Sequence, residues 1–386
     1  MNIKMLDLSE QYQSMRREVM AKLDEVMSSS QFILGDNVKQ LEADIAKYSG
    51  VDHGVGVGNG SDAIHIALQA AGVEAGDEVI TTAFTFFATG GAIARAGAVP
   101  VYVDIDPVTF NISPAKIKAA ITKKTKAIIP VHLYGQMADM EAIKNIADEH
   151  HLAVIEDAAQ AIGAKQNGHS VGELGTAATY SFFPTKNLGG YGDGGMIVTK
   201  DEELAEKARV IRVHGSKPKY YHHVLGYNSR LDEMQAAILN VKFPYLDKWS
   251  HARRERAAYY TDHLQEKLAG VIQTPVQKKG NYHVYHQYTL RVPERDQLQR
   301  YLKEQGVATM VYYPQPLHLQ PVFKQLGYKE GDLPETEKAA KEAISLPMYP
   351  ELKQFDQDYV IEKIVEFYAN KEEEGFNQTK TEEVTQ

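Results

Sequence analysis

From about residue 51 to residue 200, short apolar runs alternate with stretches of helical periodicity, and this rhythm fixes the class of fold. The stretches "GDEVITTAF", "AVPVYVDID", "KTKAIIPVHLYG" and "LAVIEDAAQ" are close to continuously apolar. A strand with little polar alternation is buried on both faces. That is the habit of a parallel sheet covered by helices on either side. The periodicity therefore predicts an α/β doubly wound layout up to about residue 245. Helices are expected over "EQYQSMRREVMAKLDEVMSSS", over "NVKQLEADIAKYSG" with Gly50 as its stop, after "GNG", near Thr85, over "DMEAIKNIADEHH" and over "DEELAEKARVIRVHG". "GTAATYSFFP" and "GDGGMIVTK" are read as two more strands. A long helical region follows from "SRLDEMQAAILNVK", bent or divided at Pro244.

Past that region the pattern changes. "VYHQYTLRV" alternates like a half-exposed strand, "RDQLQRYLKEQG" is helical, "VATMVYY" is read as a strand and "DQDYVIEKIVEFYAN" as a last helix. This predicts a smaller C-terminal α+β domain. The expected division is 1–250 for the large domain, 251–375 for the small one and 376–386 for a polar tail. A chain of 386 residues, 43% hydrophobic, is long enough for both cores. The formal net charge of −9 argues against a general nucleic-acid binder, yet leaves room for a local anion site. With no cysteine, disulfides and thiol chemistry are excluded. The opening "MNIKMLDLSEQYQSMRREV" does not read as a signal peptide, and no apolar run reaches the ~18 residues of a membrane span. A cytoplasmic protein without a membrane partner is expected.

In open α/β sheets, ligands sit beyond the carboxyl ends of the strands. Four segments fall there. "GNGSDA", Gly58 to Ala63, joins a strand to a helix. Its free amides suit a phosphate, or the segment is a tight turn with Ser61 or Asp62 as helix cap. Neither dinucleotide nor P-loop fingerprint is present. Asp157 ends the strand of "VIEDAAQAIGA"; an acid there can pair with a cationic ring nitrogen or cap the next helix, and Gln160 follows three residues on. "SFFPTKNLGGYGDGG" sets Lys186 ahead of five glycines. Its amine is either a solvated loop charge or a Schiff-base former. Phe86 in "TAFTFFATGG" can stack on a flat ring or pack in the core. "GYNSRLDEMQAA" adds Asn228 and Arg230 before a helix, suited to an anion or to the helix start. The histidines, His222 included, show no metal-ligand pattern, and no metal is expected.

In their order and spacing, "GNGSDA", "EDAAQ", "SFFPTKN…GDGG" and "GYNSRLDEMQAA" closely resemble the pyridoxal-phosphate-dependent nucleotide-sugar aminotransferases, the DegT/DnrJ/EryC1/StrS family of aspartate-aminotransferase fold type I. The resemblance runs from "MLDLSEQY" to "SLPMYPEL". It implies that Lys186 carries the Schiff base to pyridoxal 5'-phosphate, that Asp157 binds the pyridine nitrogen, that Gln160 approaches the ring oxygen and that Phe86 stacks on the ring. It also implies that Gly60, Ser61, Asp62 and Ser181 hold the phosphate and that Asn228 reaches it from the neighbouring subunit of a homodimer. Phe183, Tyr191, His222, Arg230, Tyr312 and His318 are the positions expected around the nucleotide sugar. L-glutamate is the expected amino donor.

The sub-class turns on two positions. Members that aminate the sugar 4-position commonly read "EDAAH" and "SFH…K", where this chain has Gln160 and Phe183. The resemblance therefore favours the 3-keto branch, on a UDP- or dTDP-linked sugar. A basic and histidine-rich patch, Lys219 to His223, suits the carboxylate of a uronic acid sugar. The alternatives are 4-amination within the family, a dehydrating relative, or a non-catalytic regulator that kept the fold. A dehydrating relative is expected to have histidine in place of Lys186, and a regulator to have lost Lys186 or Asp157.

Overall fold

The computed structural model describes the backbone of residues 1–384 and the side chains of residues 1–371, so the polar tail expected at 376–386 lies outside the described side chains. Seven strands form the main sheet: β1 (His53–Val57), β2 (Glu78–Thr82), β3 (Val99–Val103), β4 (Thr125–Ile129), β5 (Ala153–Asp157), β6 (Ala177–Ser181) and β7 (Gly195–Thr199). Their spatial order is β1-β7-β6-β5-β4-β2-β3. β7 is antiparallel to both β1 and β6, while the pairs from β6 to β3 are parallel. The sheet is thus mostly parallel, with one reversed strand.

Because side chains alternate across a strand, the apolar runs feed two separate cores. Ile80, Ile128, Val154, Ala178 and Val198 face one side. There they meet α2 (Asp36–Tyr48), α5 (Pro114–Ala120), α6 (Met140–His150) and α8 (Glu233–Lys242) through Leu41, Ile117, Ile143 and Leu239. Their neighbours Val79, Ala127, Ile155, Ala177 and Ile197 face the other side, against α3 (Gly60–Ala70), α4 (Phe87–Arg95) and α7 (Glu202–Ile211). α1 (Ser9–Ser29) lies outside this arrangement and packs on α8, with Met15 and Val19 against Ile238 and Trp249.

The small domain has its own core, built from α9 (Leu246–Leu268), α10 (Arg295–Glu304), α12 (Gln354–Val384) and a two-stranded sheet of β8 (Tyr288–Arg291) with β9 (Ala343–Leu346). α11 (Pro334–Glu342) leads into β9. Pro244 divides the long helical region as expected: it lies in a single 3-10 turn, Phe243–Tyr245, between α8 and α9. The expected boundary at 250/251 falls inside α9. Leu246 and Trp249 pack with the large domain, and Ala257 through Leu268 with the small one.

Three expectations are corrected. The strand expected from Val284 begins only at Tyr288, because the amides of Val284 and His286 donate to the carbonyls of Gly135 and Tyr134 in the large domain. That strand is also buried throughout rather than half-exposed. Thr289 finds Ser345 at 2.7 Å and Arg291 finds Glu342 at 2.9 Å, so its polar side chains are paired inside. "VATMVYY" forms no regular strand: Val307 bridges to Ile3 and Met310 to Ser345, two different partners that extend no common ladder. Among the described residues no helix is long and apolar enough to cross a membrane.

Candidate active site

β1, β2, β5 and β6 run in one direction, so their carboxyl ends share an edge of the sheet. β7, reversed, begins there. Each expected segment follows one of these ends. A cavity of about 850 Å³ opens at this edge, closed on its far side by Ala308 to Met310, Tyr312, Tyr313 and Met348 of the C-terminal region.

The first wall is the start of α3. Asn59 caps it, its Oδ1 accepting from the amide of Asp62 at 2.8 Å, and Gly60 and Ser61 line the cavity. Glycine is required twice where strands meet this helix. A Cβ on Gly60 would lie 2.7 Å from Ser181 Cβ, and one on Gly195 2.5 Å from the main chain of Asn59. The helix N-terminus, with its free amides and positive dipole end, is thereby pressed against the ends of β6 and β7.

Asp157 ends β5 and is 5% exposed. Its Oδ2 accepts from Thr89 Oγ1 at 2.7 Å and its Oδ1 from the amide of Ala159 at 3.2 Å. Since Thr89 gives its hydrogen to the carboxylate, Thr85 is the donor across the 3.1 Å contact between the two hydroxyls. Gln160 is held on both sides: its Oε1 accepts from the Tyr134 amide at 2.7 Å and its Nε2 donates to the Tyr313 hydroxyl at 3.2 Å.

Lys186 lies in the loop between β6 and β7, half-buried and facing the same cavity. The loop is tightened by Lys186 N to Phe183 O and Gly190 N to Phe182 O, each 2.8 Å. Lys242, buried in α8, donates to the carbonyl of Gly189 and lies 5.0 Å from the ring centre of Tyr191. Burial lowers the Lys186 pKa to about 8, and the negative charge of Asp157 opposes that shift.

Of the residues singled out from sequence, Gly60, Ser61, Phe86, Asp157, Gln160, Ser181, Phe183, Lys186 and Tyr312 line this one cavity. Six others do not. Asp62 turns its carboxylate to Ser229 Oγ at 2.9 Å, Asn59 Nδ2 at 3.2 Å and Arg95 at 3.4 Å, so its charge is spent away from the cavity. Tyr191 packs edge-on against Tyr12 of α1. His222 bonds to the carbonyl of His214 on an exposed loop, and Asn228 and Arg230 lie beyond that loop, outside this chain's cavity. His318 is 1% exposed and meets Glu337 at 3.1 Å, because the turn Leu317–Leu319 docks on Ala83 and buries it.

The structure also brings in residues that sequence reading passed over: Thr85 and Thr89, then Arg253, His286, Gln287 and Met348. A threonine pair four residues apart after a strand end was a usable signal for Thr89. The others reach the cavity only through the tertiary fold. Among the described residues no cluster of three His, Asp or Glu side chains could hold a metal.

These groups match one cofactor chemistry. A helix N-terminus fits a phosphate, a buried carboxylate at a strand end fits a protonated pyridine nitrogen, and a lysine amine of lowered pKa fits a Schiff base. The comparisons agree. A pleiotropic regulatory protein of Geobacillus stearothermophilus is 75% identical over 370 residues, covering 96% of this chain and 100% of that one. A UDP-N-acetyl-3-dehydro-alpha-D-glucosamine 3-aminotransferase of Acidithiobacillus ferrooxidans is 47% identical over 352 residues, covering 91% of this chain and 94% of that one. The crystal structure of Streptomyces venezuelae DesV in complex with a ketimine intermediate superposes with a TM-score of 0.92 at 41% identity, covering 95% of this chain and 98% of that one. The model of the DegT/DnrJ/EryC1/StrS aminotransferase family matches residues 13–365. The chain belongs to that family and is a pyridoxal-phosphate-dependent aminotransferase of aspartate-aminotransferase fold type I.

Proposed function

We propose that this enzyme moves the amino group of L-glutamate to the 3-keto carbon of a nucleotide-linked sugar, in two half-reactions, as a homodimer with shared sites. The observation that carries the reading is the single cavity that holds Lys186, Asp157 and the α3 amides together and extends past them to Met310 and Tyr312. Similarity to a 3-aminotransferase acting on a UDP sugar supports the sugar and its position.

Bound pyridoxal phosphate supplies an electrophilic carbonyl carbon and a ring that withdraws electrons. The chain's own residues do the rest. The amides of Gly60 and Ser61, with Ser181, bind the phosphate. Asp157 would hold a proton on the ring nitrogen, and the Thr89 hydrogen bond keeps its carboxylate aimed. Phe86 covers a ring face. Lys186 Nζ, uncharged for part of the time near neutral pH, takes the proton from the donor's Cα and can return it. Glutamate leaves as 2-oxoglutarate, and the keto-sugar leaves as an amino sugar by the reverse sequence. Asn228, exposed and outside its own chain's cavity, is assigned to the phosphate site of the neighbouring subunit.

The test offers the holoenzyme glutamate with UDP- and dTDP-linked 3-keto and 4-keto sugars and measures 2-oxoglutarate. Release with the 3-keto sugars is expected. Release with the 4-keto sugars alone would sink the 3-position assignment. The 75% identical relative called a regulatory protein raises a second reading, a regulator built on this fold. The two readings part on Lys186→Ala: an aminotransferase loses all turnover and the visible absorption of its lysine-bound cofactor, whereas a non-catalytic regulator shows no turnover to lose.

A further inference from the structure

A neutral histidine carries its proton on one ring nitrogen, and the partner of that nitrogen decides which. For His286 the decision falls to Asn187, the residue after Lys186. Asn187 Nδ2 lies 3.2 Å from the carbonyl of Val284, which can only accept, so Asn187 Oδ1 is left as an acceptor too. That oxygen is 3.0 Å from His286 Nδ1, which therefore carries the ring proton. His286 Nε2 is then a bare lone pair. Among the described residues it has no partner, and it stays open to the active cavity that His286 lines. Burial, then the positive charges of Lys186 and Arg253, hold the imidazole well below its ordinary pKa, so the lone pair stays free of a second proton.

Lys186 is the N–H donor this lone pair can meet. It adjoins Asn187 in the chain, lines the same cavity, and its charge acts on the imidazole. Its own amine answers to burial and to the charge of Asp157, with no hydrogen bond of its own among the described residues. Whenever that amine is not bound to the cofactor, its hydrogens need an acceptor. Other acceptors in the wall are engaged: Asp157 with Thr89 and the Ala159 amide, Gln160 Oε1 with the Tyr134 amide.

We propose that His286 is a positioning residue for Lys186: its Nε2 accepts a hydrogen bond from the free Lys186 Nζ and so aims the amine's lone pair at the proton it moves. This rests on the aminotransferase reading above and adds to it what holds the lysine once it is released.

The test separates the two ring nitrogens. The side-chain amide of asparagine falls at the place of Nδ1, and that of glutamine at the place of Nε2. His286→Asn thus keeps the bond to Asn187 and loses the acceptor, and His286→Gln does the reverse. The first readout uses full-chain apoprotein, in which the rate of pyridoxal phosphate uptake follows the uncharged fraction of Lys186, with a midpoint at about pH 8. A neutral acceptor favours the charged amine over the uncharged one. His286→Asn should therefore lower that midpoint by roughly one pH unit, and His286→Gln should bring it back. The second readout is the half-reaction of holoenzyme with L-glutamate, followed by loss of the visible absorption of the lysine-bound cofactor. In His286→Asn it should slow by roughly ten- to a hundredfold, with a larger isotope effect from deuterium at the glutamate Cα. A merely structural histidine gives the opposite order, glutamine worse than asparagine, or equal losses with the midpoint unmoved; either result overturns the assignment. If L-glutamate fails to discharge the wild-type band, the donor reading falls and the apoprotein midpoints alone judge His286. Should both variants fail to fold, nitrogen NMR of isotope-labelled histidine in wild-type apoprotein decides. One imidazole should stay uncharged with its proton on Nδ1, and its Nε2 signal should move as Lys186 titrates, a movement absent from Lys186→Ala; if no imidazole behaves so, the proposal is overturned.

Discussion

An amine that exchanges protons near neutral pH must spend part of its time uncharged, and Lys186 meets this through burial. Its partner Asp157 has a different need. It must be held in one direction while almost fully buried, and the Thr89 hydroxyl at 2.7 Å holds it there. Thr89→Val removes that bond and leaves the shape nearly unchanged. A hydrogen bond to a charged group is worth about 1.5–3 kcal/mol, so kcat should fall by roughly tenfold or more and the melting temperature should drop by a few degrees. Steady-state kinetics on the intact variant checks this. Lys242 gives a pH prediction. Burial lowers its pKa from 10.5 to about 8, as it does for Lys186. Between those values the unfolded chain binds the extra proton, so cofactor-free protein should gain stability as pH rises from about 8 toward 10.5. Lys242→Met, compared with wild type by denaturant midpoints at several pH values, should flatten that rise.

Among the elements, those with strong periodicity were legible: the helices of the large domain, the parallel strands and the break at Pro244. The reversal of β7 is not marked by its apolar run, and the signal for it was the helix-free loop after β6, which lacks the helical crossover a parallel neighbour usually needs. The same limit shaped the site. Asp157 and the α3 turn stood out because they follow strand ends, whereas Lys186 read equally as a loop charge until the motifs were taken together as a family resemblance. Arg253 and His286 did not, since only the docking of α9 and of the Val284–Tyr288 stretch on the large domain brings them there. His318 misled for the converse reason: a histidine beside two leucines was drawn into the core. At this scale Gly60→Ala tests the cradle. Its Cβ would meet Ser181 Cβ at 2.7 Å, and overpacking of this kind costs about 1–3 kcal/mol. The strain falls on the α3 turn, so cofactor affinity, read by titration of the apoprotein, should fall by tenfold or more.

At the level of the whole molecule, mixing variants tests whether Asn228 serves the neighbouring subunit's site, as proposed. Lys186→Ala and Asn228→Ala proteins should each be impaired in turnover or cofactor binding. If sites are shared, subunit exchange between them creates mixed dimers with one intact site, and activity at low cofactor should recover in the mixture. Recovery that never exceeds the sum of the separate variants would count against shared sites.

Gln160 has a last consequence. One end of its amide holds the main chain of Tyr134 in the large domain; the other holds the hydroxyl of Tyr313, beyond the small domain's first strand. The two domains also share a hydrophobic cluster, Phe84, Phe110 and Tyr134 with Ala339, Ala340 and Ala343, and Gln160 adds a polar stitch to that seam at the reaction centre itself. Cofactor held beside Gln160 would bind the folded chain and not the unfolded one, which makes loading a thermodynamic weld as well as a chemical one. Scanning calorimetry should then show a sharper, later heat-absorption step for the holoenzyme than for the apoprotein. A Gln160→Ala holoenzyme should fall between them.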